Sequence, residues 1–177
     1  MGTKESMMKV FMLLFVLIVN LCAVDDRQAM MDSIAKYAIR IGTGPDHSYV
    51  FVDPLCPKSQ HFIELIDKRK DLQEKSSYYI FLYRLHKFDS AELIEYIYQS
   101  ENPLEALKEI MIDKDYDGLE DFSVQEKTLD IIHHVSAVAR ELHMKRRPYL
   151  LIYEEGSHFC TVSEGTAPCL EENDFDN

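Results

Sequence analysis

Positive charge is scarce in this chain. Its 177 residues carry 19 Lys and Arg against 31 Asp and Glu, a formal net charge of −12 at neutral pH. Phosphate backbones are bound by concentrated cations, so nucleic acid is excluded as a partner. Docking on anionic lipid is disfavoured for the same reason. The simplest role of the acidic excess is solubility, and partners with a basic face remain open. Long apolar runs are lacking too. The run over residues 10–22 (VFMLLFVLIVNLC) falls short of the ~20 residues that a membrane-spanning helix needs. There is no internal repeat, low-complexity tract, glycine-rich phosphate loop, zinc-ligand spacing or serine triad. No cofactor and no metal are therefore implied. What remains is an ordinary globular composition, 46% hydrophobic and 28% charged, on a chain long enough for one well-cored domain.

The first stretch is expected to be removed. Lys4 and Lys9 precede the apolar run, and the acidic pair Asp25-Asp26 follows it. A basic head before a short apolar core is the pattern of a secretory signal peptide. Residues 1–24 are assigned to it, with cleavage after Ala23 despite the bulk of Leu21. An uncleaved anchor and lipidation of Cys22 are the alternatives, and Leu21 weakens the second as well. The remaining chain has 17 basic and 30 acidic residues, a formal charge of −13. It is expected to be exported to an oxidising, periplasmic compartment, where disulfides persist.

Apolar periodicity orders the rest. Met30, Ile34, Tyr37 and Ile41 recur at helical spacing, which predicts an amphipathic helix over residues 27–41. Gly42, Gly44 and Pro45 end it. YVFV (residues 49–52) and YYIFLYRL (78–85) read as buried strands, with a helix from Cys56 between them. Two helices (from about residue 89 and from Pro103) and a long one over 124–144 follow. PYLLIY (148–153) and HFCTVS (158–163) then form a hairpin. A strand-helix-strand unit predicts parallel pairing with a right-handed crossover, and the hairpin adds antiparallel strands. The expectation is an α/β sandwich with a small mixed sheet. Residues 25–45 are assigned to the N-terminal helix and linker, 46–163 to the domain with a helical insertion at about 88–145, and 164–177 to an acidic tail.

The segment FVDPLCPKSQHF (51–62) carries the chemistry. Its cysteine lies where a strand turns into a helix. A thiol there faces unpaired backbone N–H groups and the positive end of the helix dipole, and both favour the thiolate. Pro57 suits the first helical turn, since its missing N–H needs no partner. Lys58 adds a cation.

These residues resemble the active-site segment of thioredoxin-fold, Dsb-type thiol:disulfide interchange proteins of the periplasm, most closely the catalytic domains of the DsbC/DsbG branch. The pattern Phe51-x-Asp53-x-x-Cys56, the inserted helices and RRPYLLIY carry the likeness, over residues 49–162. It implies a thioredoxin-like fold, with Cys56 as nucleophile and Pro148 as a cis-proline facing it and presenting backbone to a substrate chain. Ser59 stands where that family has its resolving cysteine, so a Cys56-Pro57-Lys58-Ser59 motif closes no internal bridge. Single-thiol exchange, isomerisation on protein thiols, or a persulfide or glutathione adduct on Cys56 remain. Arg147 replaces a small or β-branched residue before Pro148, and is expected to stabilise the thiolate or to contact acidic substrates beside Pro57. The family's dimerisation domain and last helix have no counterpart in the sequence, which predicts a monomer. The N-terminal helix is expected to cover the sheet face that the last helix would have covered.

Cys160 and Cys169 most simply pair as a structural disulfide in an exported protein. The alternative is that one of them resolves the Cys56 mixed disulfide. DKDYDG (113–118) opens like a calcium loop, but the twelfth position is Val124 rather than an acid, so a solvated turn is expected. Two functions follow: thiol-disulfide exchange on protein or small-molecule thiols, or a redox-silent binding module of the cell envelope.

Overall fold

The computed structural model of the chain describes residues 27–117, 119, 122–154 and 160–165. Residues 1–24, expected to be a signal peptide, and Cys169 lie outside them. The apolar strands pair into one sheet: β1 (Ile39–Ile41), β2 (Asp46–Val52), β3 (Ser76–Leu82), β4 (Tyr149–Tyr153) and β5 (Cys160–Glu164), in the order β1-β3-β2-β4-β5. β2 and β3 are parallel, with Asp46 opposite Ser76 and Val52 opposite Leu82. The other pairs are antiparallel. A parallel pair needs a crossover, and here α2 (Pro57–Lys68) and α3 (Lys70–Lys75) supply it.

The period-two alternation of β2 and β3 divides the core. Val50, Val52, Ile80 and Leu82 face Phe62, Ile63 and Ile66 of α2, together with α4 (Ala91–Gln99) and α5 (Pro103–Lys108). Tyr49, Phe51, Tyr79 and Phe81 face the other way. They lie under Met31 and Ile34 of α1 (residues 27–34) and under Val135 and Ala139 of α6 (Glu126–Glu141). The N-terminal helix thus helps to cover that face. Burial of both faces explains why these strands read as unbroken apolar runs.

The helix expected over residues 27–41 is shorter than its spacing predicts. It ends at residue 34, a 3-10 turn occupies Ala35–Tyr37, and Ile39–Ile41 leaves as an edge strand on β3. Ile39 and Ile41 are buried while Arg40 points out. Two isoleucines two apart satisfy a strand face, and pairing with Tyr78–Ile80 decides the matter. Arg40 then donates to the Tyr79 hydroxyl at 3.0 Å and stacks over its ring. The loop after β1 allows no side chain at Gly44, where a Cβ would stand 2.0 Å from the Lys75 carbonyl carbon.

The tyrosine-rich face makes the fold sensitive to alkali. Burial, then the Asp32 carboxylate and Tyr79, push Tyr49 up to about 12, against the opposing pull of Arg40. Its folded-state value therefore lies above the ordinary ~10. The associated stability is complete below about pH 10 and is lost as pH rises to about 12. Urea midpoints at about pH 8 and pH 11 are expected to differ, with a smaller difference in Tyr49→Phe. Equal losses in both proteins would contradict this.

Candidate functional site

β2 ends at Val52, and an Asp53-Pro54-Leu55 turn delivers the chain to α2. Cys56 is the N-cap residue, extended at φ −80° and ψ 118°, with Pro57 in the first turn. A cap residue ordinarily accepts from the N–H groups of that turn, but the Cys56 side chain makes no such bond. Its Sγ lies instead 3.8 Å from the backbone carbonyl oxygen of Arg147, to which the thiol donates. That contact joins residues 91 apart in sequence. The Arg147–Pro148 bond beside it is cis. The turn of β2 into α2 and the start of β4 thus meet on one thiol.

Among solved structures, the chain is similar to a disulfide interchange protein of Neisseria gonorrhoeae. The TM-score is 0.58 at 16% identity, over 76% of this chain and 89% of that one. The fold is thioredoxin-like. DsbG of Helicobacter pylori gives 0.58 at 17% identity, over 86% of this chain and 72% of that one. The catalytic domain of Proteus mirabilis ScsC gives 0.56 at 16%, over 80% and 90%. No family model matches the sequence, and no curated protein does. At such identities the likeness is one of fold alone.

Within this thioredoxin-like frame the other motif residues separate. Pro57 and Lys58 are exposed. The Lys58 ammonium donates to the Gly165 carbonyl at 3.1 Å, and Gly165 N–H donates to the Pro148 carbonyl at 2.8 Å. Ser59 is fully buried, and its hydroxyl accepts from the Asp53 N–H at 3.3 Å. Arg147 is only 3% exposed. Its guanidinium stacks 4.3 Å over the Tyr83 ring and donates to the Arg146 carbonyl at 2.8 Å. Nε is buried without an acceptor. Burial lowers the Arg147 pKa, while Tyr83, Asp53, Glu164 and Cys56 act to raise it. The side chain is therefore an internal cation, and only the backbone of Arg147 meets the thiol.

Asp53 was visible in the sequence as part of a pattern but had no role. It is wholly buried and accepts from Leu55 N–H at 2.9 Å, from Ser90 Oγ at 3.0 Å and from Leu85 N–H. It ties the turn that carries Cys56 to the segment between β3 and α4. The signal was an acid ending an apolar strand. Gly165 gave none, since it opens what reads as an irregular tail.

Cys160 lies at the other end of the sheet. It pairs with Tyr153, whereas Tyr149, beside the cis bond, pairs with Glu164 and Phe51. Four residues of strand span about 13 Å, so Cys160 is remote from Cys56. Its pairing with Cys169 falls outside the described residues. Among the described residues no group of side chains is arranged to hold a metal, and no helix is long and apolar enough to cross a membrane.

Proposed function

We propose that this protein exchanges thiols and disulfides through Cys56, as a monomer exported to an oxidising compartment. The observation that carries this reading is the meeting of the Cys56 thiol, at the start of α2, with the backbone of the cis Arg147–Pro148 bond. The Cys56 thiolate attacks one sulfur of a substrate disulfide. A mixed disulfide forms, and the other substrate sulfur leaves as a thiolate. Cys56 stands at the first turn of α2, whose positive dipole end favours an attacking thiolate. Pro148 presents the extended backbone beside which a substrate chain lies, next to Pro57. Ser59 offers no second sulfur, so release depends on a thiol from outside the motif. Protein thiols, or small-molecule thiols such as glutathione, fit as substrates.

The test is alkylation by iodoacetamide at several pH values, with each cysteine followed by mass spectrometry. Cys56 is expected to react at least about tenfold faster than Cys160 at neutral pH. A Cys56 that reacts no faster would remove the basis for exchange. One observation favours the redox-silent binding module instead: Cys56 is only 5% exposed. That reading requires peptide binding that survives Cys56→Ser unchanged.

Ser59→Cys is a second check. The new sulfur would sit three residues along α2 from Cys56, on its inner face, replacing a buried hydroxyl that accepts from the Asp53 N–H. A bridge within the motif is expected to form in oxidising buffer, seen as the loss of two alkylatable thiols. A folded variant that retains both thiols would argue against a dithiol-competent geometry.

A further inference from the structure

What kind of disulfide reaches Cys56 depends on the charges around that thiol. The chain as a whole carries −12, yet three segments that meet at the Cys56 end of the sheet are basic. Lys58 is exposed two residues after the thiol and donates to the Gly165 carbonyl at 3.1 Å. Arg84 lies between Tyr83, whose N–H donates to the Val52 carbonyl at 2.8 Å, and Leu85, whose N–H donates to the Asp53 carboxylate. A turn closed by the Phe88 N–H on the Leu85 carbonyl at 2.9 Å holds Lys87 beside it. Lys145 and Arg146 directly precede the residue whose carbonyl meets the thiol. The Arg146 side chain passes along Gly165, its Cδ 3.6 Å from where a Cβ would stand there. Arg84, Lys87, Lys145 and Arg146 are all exposed.

Three acids share this ground. Asp89 and Glu92 are exposed at the start of α4, and the half-buried Glu164 accepts from the Lys145 N–H at 3.3 Å. Asp53 is buried and engaged by its own three donors. Five exposed cations thus outnumber the accessible acids. Glu74, next to the start of β3, and Glu154, next to the end of β4, stand at the opposite end of the sheet. The seven residues of β2 put about 20 Å between the two ends. At physiological salt, exposed charges more than about 8 Å apart are largely screened, so a substrate at Cys56 meets the sign of the rim rather than that of the chain. The cations also flank the thiol. In the order β3-β2-β4-β5, Arg84 and Lys87 follow β3 on one side, while Lys58 and Arg146 lie along Gly165, past the end of β5, on the other. Three strand spacings separate β3 from β5, about 14 Å, which is also the rise of about four residues of extended chain. One carboxylate cannot cover that distance, but acids two residues to either side of a cysteine can.

We infer that Cys56 acts on acidic polypeptide segments, in which Asp or Glu lies about two residues to either side of the substrate cysteine. This rests on the exchange reading and names its substrate class. The partner at this face is then opposite in charge to the one that the whole chain would attract. The chemical step is unchanged. Cys56 Sγ bonds to the substrate cysteine sulfur, the substrate S–S bond breaks, and its other sulfur leaves with the electron pair as a thiolate. The cations take no part in bond making. They draw an acidic segment to the site and hold it across the thiol, which raises the rate of productive encounter. Lys58 keeps this capacity while bonded to Gly165, because an ammonium has three donors.

The experiment uses the reduced full chain and peptides of one length, each carrying its cysteine as a mixed disulfide with uncharged 2-thiopyridine. The residues two positions to either side of that cysteine are both Glu, both Gln or both Lys. Loading of Cys56 is followed by quenching and peptide mass mapping. Each rate is divided by that of the same peptide with 2-mercaptoethanol, which removes differences in intrinsic reactivity. In dilute buffer the Glu peptide is expected to load Cys56 at least about tenfold faster than the Lys peptide, with the Gln peptide between them. The ratio should fall towards one at about 1 M salt, where the screening length is about 3 Å. A peptide with a single Glu should gain less than one with two. Equal rates, or a faster Lys peptide, overturn the inference and leave the exchange reading intact. So does a preference that salt does not move, since shape rather than charge would then select. No adduct on Cys56 from any peptide removes both. In the double variant Arg84→Gln with Lys87→Gln, the Glu-peptide rate, taken relative to alkylation by uncharged iodoacetamide, is expected to fall at least about threefold. No fall there overturns the two-sided placement. If that variant does not fold, the salt series on the unsubstituted chain decides.

Discussion

Cys56→Ser is expected to lose disulfide exchange by about 10³-fold or more, because a serine hydroxyl at neutral pH is essentially un-ionised while a thiol is partly thiolate and far more nucleophilic. It should do so without weakening the fold. Cys56 occupies the N-cap of α2 and makes no capping bond there. Serine is among the preferred N-cap residues, and a side-chain oxygen that accepts from the first turn contributes about 0.5–2 kcal/mol. Stability should thus hold or rise while activity disappears, the divergence expected where a residue is kept for chemistry rather than for folding. Turnover of a fluorogenic peptide disulfide in glutathione buffer, with urea unfolding of the same samples, measures both. Retained turnover would show that the sulfur at position 56 is not the nucleophile. A large fall in stability would show that Cys56 matters to the fold as a small apolar side chain.

The second large effect belongs to Asp53→Ala. The carboxylate is wholly buried and serves three donors, two backbone N–H groups and the Ser90 hydroxyl. Removing it leaves the buried Ser90 hydroxyl and two part-buried N–H groups without that acceptor, and a buried donor so left costs about 1–3 kcal/mol. A loss of about 3–5 kcal/mol is expected, a large share of the total stability of a domain this size. Asp53→Asn keeps the shape but turns an NH2 donor towards groups that themselves donate, leaving at least one of the three without an acceptor, and should fall between the wild type and Asp53→Ala. The loss should reach the site as well. The Asp53 backbone carbonyl accepts from the Cys56 N–H at 3.0 Å, so the turn presenting the thiol loosens with the carboxylate. Chemical denaturation gives the energy, and Cys56 alkylation in the folded variant gives the effect on the turn. A shift below about 1 kcal/mol would mean that water or neighbouring groups satisfy the stranded donors.

Much of this architecture could be read along the chain because its signals are local. Phe62, Ile63 and Ile66 sit on one face of α2 at a spacing that only a helix brings together, and they are the side chains that α2 buries. The runs containing Val50 to Val52 and Ile80 to Leu82 have no polar interruption, as strands covered on both faces require. Cys56 followed by Pro57 marked the start of a helix, because a proline is tolerated in the first turn and a few residues later is not. Where local signals were ambiguous, sequence reading erred. Ile39 and Ile41 fit both a helix face and a strand face, and the free edge of β3 took them as a strand.

Apart from β1, the sequence by itself determined which elements form and that Cys56 stands at the start of α2, since periodicity, capping and turn chemistry act over a few residues. Tertiary structure alone decided what surrounds that sulfur. The Arg147 carbonyl comes to Cys56 from 91 residues away, and Gly165 comes to Lys58 from 107. No spacing rule reaches so far. Whether an arginine before a proline faces solvent or lies buried on Tyr83 depends on strand pairing across the whole sheet. So does the placing of Cys160 and Gly165: the antiparallel β4–β5 ladder carries Cys160 away from the site and brings Gly165 back to it.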